Sequence, residues 1–308
     1  MSTNSAEDES DMMCCASCGI AEVDDIKLRK CTACKSVRYC GVKCQRDHRP
    51  QHKRDCKKRA AELRDEILFK QPESSHMEDC PICCLPLPIY PIESIMMACC
   101  SKIICNGCNY ANQMRELEGK LQESCPFCRH PAPKSQEEAV RNVMKRAGVN
   151  DPVAMRLVGC KRHEKGDYAG AFEYWTKAAG SGDTEAHLQL SLMYQEGKGV
   201  EKDKKKELHH LEEAAIGGHS FARHNLGCLE DANGRLERAW KHFIIAANQG
   251  VDGSLENLRN VYEMGYVSKE DFAAALRGHQ AAVDATKSPQ RDEAEAIRRI
   301  EDRPALSL

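Results

Sequence analysis

Seventeen of the nineteen cysteines in this 308-residue chain lie between Cys14 and Cys128, and most come in pairs two residues apart. The C-x-x-C pairs are Cys15/Cys18, Cys31/Cys34, Cys80/Cys83, Cys105/Cys108 and Cys125/Cys128; Cys40-x3-Cys44 and His52-x3-Cys56 add two wider ones. Two thiolates at that spacing can grip one zinc ion, and a second pair completes the tetrahedron. Disulfides are the other chemistry open to paired cysteines, but they belong to secreted chains. The opening stretch MSTNSAEDESDMM is acidic and has no apolar run, which predicts no secretory signal and an intracellular setting. Pairs in an unsignalled chain are expected to hold metal. Zinc is the expected cofactor, and sixteen ligands predict four ions.

The elements that position these ligands follow from composition. Residues 14–131 hold only five aromatics, Tyr39, Phe69, Tyr90, Tyr110 and Phe127, too few to build cores for small modules, so metal must supply the folding free energy. Residues 151–287 carry eleven of the sixteen aromatics, are rich in alanine and read as helix throughout. The expected fold is multidomain: two zinc-stabilised modules, then an all-α solenoid. The boundaries read as a disordered acidic tail (1–13), a first finger (14–58), a helical linker (59–75), a second finger (76–131), a helical linker (132–150), repeats (151–287) and a C-terminal tail (288–308) with a short helix. Charged residues make up 30% with a net charge of −2, which excludes a generally basic nucleic-acid coat. No apolar run is long enough to span a bilayer.

The first ligand string is Cys15, Cys18, Cys31, Cys34, Cys40, Cys44, His52 and Cys56. His52 and Cys56, at i and i+4, share one face of a short helix. With Tyr39 before Cys40 and Gln45 after Cys44, this string resembles the MYND zinc finger. The resemblance implies interleaved sites: Cys15, Cys18, Cys40 and Cys44 on one zinc, Cys31, Cys34, His52 and Cys56 on the other. Cys14 and His48 are alternative ligands. The family binds proline-containing peptides beside an aromatic residue, commonly Trp, in the histidine-bearing helix; this helix has no Trp, and His48 stands near the expected place. Lys43, Arg46, Arg49, Lys53, Arg54, Lys57, Lys58 and Arg59 surround it. They read either as a solvated face offsetting the negative zinc sites or as a patch for an acidic peptide or nucleic acid. Tyr39 is the one stacking aromatic nearby, which disfavours nucleic acid.

The second string is Cys80, Cys83, Cys99, Cys100, Cys105, Cys108, Cys125 and Cys128. The pair order, Pro81-Ile82 between the first ligands and the ending Cys125-Pro-Phe-Cys128-Arg129 resemble a RING finger of all-cysteine type. The resemblance implies cross-braced sites, Cys80, Cys83, Cys105 and Cys108 on one zinc and Cys99, Cys100, Cys125 and Cys128 on the other. A turn must fold the adjacent Cys99 and Cys100 inward together. Cys84 is a spare thiol. Tyr110, Met114, Leu117 and Leu121 form an apolar stripe expected to lie against the metal core. RINGs are commonly ubiquitin ligases, which work by holding a loaded conjugating enzyme in a reactive pose; a RING-like scaffold that only holds partners together is the rival. The resemblance places Ile82 and Pro126 against that enzyme, and Arg129 where a cation restrains ubiquitin.

Beyond residue 150, Ala178-Ala179 with Gly182 recurs as Ala214-Ala215 with Gly218 and Ala246-Ala247 with Gly250. Ala186, Ala222 and Ser254 keep the same steps, as do Leu190, Leu226 and Leu258. These phrases resemble Sel-1-like repeats, relatives of tetratricopeptide repeats, in about three and a half units. His209, His210, His219 and His224 fall at repeat edges, with no fixed partners expected. The functional reading is a protein-interaction protein, with RING ligase activity recruiting a substrate through the repeats. A non-catalytic adaptor in protein complexes is the alternative, and no membrane partner is expected.

Overall fold

Arg29–Lys30 (β1) pairs antiparallel with Arg38–Tyr39 (β2), and Gly41 then turns the chain into α1 (Val42–Leu68). The computed structural model describes residues 14–301; the expected acidic tail 1–13 and residues 302–308 lie outside the described residues. The chain divides between Lys70 and Gln71 into two compact units. In the first, α1 is a single helix of 27 residues where the sequence suggested a short ligand helix and a separate linker helix beyond residue 58. Nothing between Cys56 and Ala60 breaks a helix, and Arg59 bridges the junction to Glu62 and Glu66 at 3.1 and 3.0 Å. Pro50, which lacks an N–H, is accommodated inside it. The helix ends at Phe69, whose N–H bonds back to Asp65.

The second unit begins with a small zinc-type module. Ser94–Met96 (β3) and Ile103–Cys105 (β4) form a hairpin, followed by α2 (Asn106–Glu118). Helix α3 (Gln136–Gly148) starts at Ser135, whose hydroxyl accepts the Glu138 N–H at 3.3 Å. Four helical hairpins follow: α4 (Pro152–Glu164) with α5 (Tyr168–Gly180), α6 (Thr184–Glu196) with α7 (Lys204–Ile216), α8 (Ser220–Ala232) with α9 (Leu236–Ala247), and α10 (Asp252–Glu263) with α11 (Lys269–Ala285). The repeated residues build the joints between hairpins. Ala178, Ala214, Ala215, Ala246 and Ala247 are buried, as are Ala186, Ala222 and Ser254 on the next helix. Gly182, Gly218 and Gly250 all take positive φ (91°, 86° and 92°), a backbone that turns one hairpin into the next and that side chains resist. Gly159 and Gly227 let Trp175 and Phe243 lie directly on the backbone of α4 and α8.

The second zinc-type module is built into this unit. Tyr90 donates to Asp252 at 3.0 Å and meets the Phe221 ring edge-on, and the His76 N–H bonds the Gly218 carbonyl at 3.1 Å. The C-terminal tail forms α12 (Pro289–Glu301), which packs on α2; its Arg291 backbone lies so close to Gly107 that a Cβ there would meet the Arg291 nitrogen at 2.8 Å.

Candidate metal centres

Four of the five C-x-x-C pairs sit on a tight turn in which the residue after the second cysteine is left-handed. Gly19 (φ 74°), Lys35 (57°), Cys84 (56°) and Arg129 (62°) occupy that place. The chain then folds back so that Cys15, Cys80 and Cys125 donate their N–H groups to Ile20, Leu85 and His130. Only the first of these positions is a glycine, so the strained backbone was not visible in the sequence. Cys105 and Cys108 are held differently: Cys105 caps α2, its sulfur accepting the Cys108 N–H at 3.4 Å. Cys99 and Cys100 fall in the β3–β4 turn, where the N–H groups of Cys100 and Ser101 both bond the Met97 carbonyl and turn the two thiols inward.

These turns bring the sixteen cysteine and histidine side chains into four quartets. They are Cys15, Cys18, Cys40 and Cys44; Cys31, Cys34, His52 and Cys56; Cys80, Cys83, Cys105 and Cys108; and Cys99, Cys100, Cys125 and Cys128. Within each, the ligand atoms lie within 4.8 Å of one another. A tetrahedron with zinc–sulfur bonds of about 2.3 Å places its sulfurs about 3.8 Å apart. The observed separations straddle that value: 3.6 Å for Cys18–Cys40, 3.7 Å for Cys31–Cys56, 3.8 Å for Cys83–Cys105 and 4.0 Å for Cys100–Cys125. The donor sets, four thiols or three with an imidazole, are those of structural zinc, and the geometry fits it. Cys14 and His48 stay outside the quartets. His48 accepts from or donates to the Tyr39 hydroxyl at 3.1 Å and stacks on His52, so it positions His52 from outside the second quartet.

Hydrogen bonding lowers at least one thiol in each quartet. Burial pushes the Cys15 thiol up, but backbone donors at Cys40, Cys18 and Ser17 outweigh it and bring it to about 6. In the second quartet burial is outweighed at Cys34 by the Ser36 hydroxyl and N–H, again to about 6. A hydrogen bond from Cys105 brings Cys80 to about 4, and the His130 backbone overcomes burial to bring Cys128 to about 7.

The face of α2 turned to the metal sites differs from the expected one. Cys108, Asn112 and Glu116 are buried there, while Leu117 is 72% exposed and Leu121 lies beyond the helix at 53%. The apolar stripe of Tyr110, Met114, Leu117 and Leu121 instead lines an open groove of about 820 Å³ shared with Met97, Pro126 and Pro133. The reason is the polar loop before Cys125, whose backbone needs partners. Glu116 accepts from the Ser124 N–H and hydroxyl at 3.1 and 2.8 Å, and Asn112 donates to the Ser124 carbonyl at 3.2 Å. Apolarity alone could not have found these two residues. Arg291 of α12 also reaches the third quartet, donating to Cys83 Sγ at 3.4 Å and to the Leu85 and Pro86 carbonyls at 3.2 and 2.7 Å.

Ile82 is 40% exposed beside the first of these ligand turns, and Pro126 is half-buried. Arg129 is exposed, and its guanidinium bonds Asn112 Oδ1 at 3.3 Å.

Three of the four repeat histidines, His210, His219 and His224, do have fixed partners. His219 is buried, caps α8 through the Ala222 N–H and bonds Glu185 at 2.7 Å. His210 faces His187 Nδ1 at 3.0 Å and stacks on Tyr194; His224 meets the Ser254 hydroxyl at 2.8 Å. His76, Glu185 and His219 gather closely enough for a metal. The His76 and His219 rings, however, are stacked at 3.9 Å and within 10° of parallel. In-plane lone pairs on parallel rings cannot converge on one ion, so this trio is a packing contact.

The architecture is thus one of N-terminal cysteine-rich, zinc-type modules followed by a helical repeat solenoid. The MYND finger model matches residues 15–56, and the Sel1 repeat model matches residues 152–183, 184–219 and 222–251. The chain therefore carries a MYND finger and Sel1 repeats; no RING model matches the second module. The mouse (Mus musculus) protein "DAP3-binding cell death enhancer 1" is 23% identical, over 54% of this chain and 40% of the relative, and its rat (Rattus norvegicus) counterpart is 22% identical over the same shares. The chain spans about two fifths of the length of these curated relatives. Among solved structures, a Sel1 repeat protein from Oxalobacter formigenes aligns with 21% identity over 63% of this chain and 87% of its own, at a TM-score of 0.43. A protective antigen of uropathogenic Escherichia coli with an SLR fold aligns with 22% identity over 66% and 42%, at 0.38. Among the described residues, no helix is long and apolar enough to cross a membrane.

Proposed function

We propose that this protein takes a protein partner on its Sel1 repeats and presents it to a ubiquitin-conjugating enzyme docked on the second zinc module, which would act as a RING-type ligase. The observation that supports this most is the interleaving of the second module's quartets: the first and third cysteine pairs share one site, the second and fourth the other. Such bracing sets the Cys80–Cys83 and Cys125–Cys128 turns as fixed platforms for Ile82 and Pro126. The module offers no nucleophile; it would act by positioning a loaded enzyme. In this reading all sixteen quartet residues are zinc ligands, four ions are bound, and Arg129 restrains the ubiquitin thioester. The name of the curated relatives records a protein partner for those proteins, in keeping with partner binding here.

Single-turnover discharge of loaded conjugating enzymes onto free lysine tests the reading. Ile82→Ala is expected to weaken docking by removing apolar contact, about 2–3 kcal/mol. Arg129→Ala is expected to leave docking intact and slow discharge. A parental protein that accelerates discharge with no enzyme in a broad panel favours the second reading, a non-catalytic adaptor. One observation already leans that way: α12 lies against α2 and the Cys83–Pro86 segment, next to Ile82.

A further inference from the structure

Two roles compete for the basic residues around His52, neutralising the zinc sites or facing a partner, and α1 separates them. Successive helix residues turn by about 100°. Cys44, His48, His52 and Cys56, four residues apart, therefore share the face turned to the ligand turns, and all are partly buried. Lys43, Arg46, Lys53 and Lys57 lie on the opposite side, with Arg49, Arg54 and Lys58 along its edges, and all seven are exposed. A helix with its side chains is about 10–12 Å across. Charges that far from the thiolates, through solvent, lie beyond the screening length of about 8 Å at physiological salt. Among the described residues none of the seven forms an ion pair, while Arg38 and Arg59 do.

The surplus is large. Residues 14–70 hold fifteen lysines and arginines against eight aspartates and glutamates, a formal net charge of +7 in a chain whose total is −2. Seven thiolates and two zinc ions would remove about three of those charges, so a cationic face remains. The stripe from Lys43 to Lys57 runs about 21 Å at 1.5 Å per residue.

Its composition indicates the ligand. Between Lys43 and Lys57 the stripe carries one apolar side chain, Pro50, and Val42, 67% exposed, stands alone at its N-terminal end. Protein docking draws its energy from buried aromatic and aliphatic anchors, and exposed ion pairs add only about 0–1 kcal/mol each. A polyphosphate duplex, by contrast, releases condensed counterions and binds through charge alone. Single strands need stacking platforms, and Tyr39 is only 3% exposed. We propose that the outer face of α1 binds the phosphate backbone of duplex nucleic acid, without sequence preference, through Lys43, Arg46, Arg49, Lys53 and Lys57. The absence of stacking aromatics, which disfavoured nucleic acid on sequence alone, does not bear on a duplex.

The test is fluorescence anisotropy of a labelled 20-base-pair DNA duplex with the zinc-loaded full-length protein between 50 and 200 mM salt. The expected dissociation constant at physiological salt is about 1–100 μM, with log K falling against log salt at a slope of about −4 to −5 for five phosphate contacts. The triple reversal Arg46→Glu, Lys53→Glu, Lys57→Glu is expected to lose at least tenfold in affinity and to flatten the slope by about 3. Reversal of the exposed Lys204, Lys205 and Lys206 in the repeats is the control and should change affinity less than twofold. Zinc count by native mass spectrometry verifies that each variant is folded; if the reversal loses zinc, the Arg46→Gln, Lys53→Gln, Lys57→Gln variant replaces it, with an intermediate loss expected. No binding at 50 mM salt, or unchanged affinity and slope in a zinc-loaded variant, overturns the proposal. So does a 20-residue polyglutamate peptide that displaces the duplex at equal concentration, which would assign the face to an acidic protein.

Discussion

Replacing Gly159 by alanine sets helix propensity against packing, and the structure decides the sign. Gly159 lies in the middle of α4, where alanine is ordinarily favoured by about 1 kcal/mol. A Cβ there would meet Trp175 Nε1 at 2.5 Å and Cδ1 at 2.6 Å. The indole cannot step aside freely: it is 2% exposed, and its Nε1 donates to the Arg156 carbonyl at 3.1 Å. Overpacking of this kind costs about 1–3 kcal/mol, and a displaced indole also loses a hydrogen bond worth about 1 kcal/mol. The net expectation is destabilisation by about 1–3 kcal/mol. Gly180, the last residue of α5, is exposed with nothing within 4 Å of its Cβ position, so Gly180→Ala should stabilise by up to about 0.5–1 kcal/mol. Urea unfolding followed by tryptophan fluorescence reports on both, because Trp175 and Trp240, the two tryptophans, both lie in the repeats. With slopes of about 1–3 kcal/mol/M the midpoints should move in opposite directions by measurable fractions of a molar. A Gly159→Ala protein as stable as the parent would refute the reasoning. Gly227→Ala, against Phe243, should repeat the loss.

Native mass spectrometry should count four zinc ions, and a strong chelator should strip hydrogen-exchange protection from the ligand turns while helices α6 to α9 keep theirs; two ions or fewer would contradict the four quartets. Acid should weaken the repeat unit. Burial first, and then neighbouring cationic or histidine groups, hold His76, His210 and His242 at about 3, 4 and 3, below their ordinary value of 6.5. The unfolded chain takes up these protons near pH 6.5 and the folded one does not, so stability is full above 6.5 and declines as pH falls toward 4. Equal urea midpoints at pH 7.5 and pH 5 would rule this out. Arg291→Met keeps the aliphatic stem but removes the donors to Cys83, Leu85 and Pro86. Amides of α12 should then exchange at least tenfold faster, and unchanged exchange would show that Arg291 does not fasten the helix.

The cysteine spacings announced metal modules because a C-x-x-C turn is a local object: two residues between ligands fix the bite whatever surrounds it. The repeat period was equally legible, since Ala214-Ala215 and Gly218 restate Ala178-Ala179 and Gly182 at the same places in each hairpin. Which pairs share a site is not local, and in the sequence it rested on family resemblance; the fold brings Cys83 beside Cys105 and Cys100 beside Cys125 across more than twenty residues each. The faces of helices were the harder matter. On α2 an apolar stripe suggested burial, yet the loop before Cys125 demanded hydrogen-bond partners, and Asn112 and Glu116 took the inside. On α1 the quartet residues Cys44, His52 and Cys56, at four- and eight-residue steps, fixed the inner face and left the cations outside, which no count of charges could establish. Tertiary structure alone made the second module part of the repeat unit, because Tyr90, His76 and Arg291 find their partners 140 or more residues away in the chain.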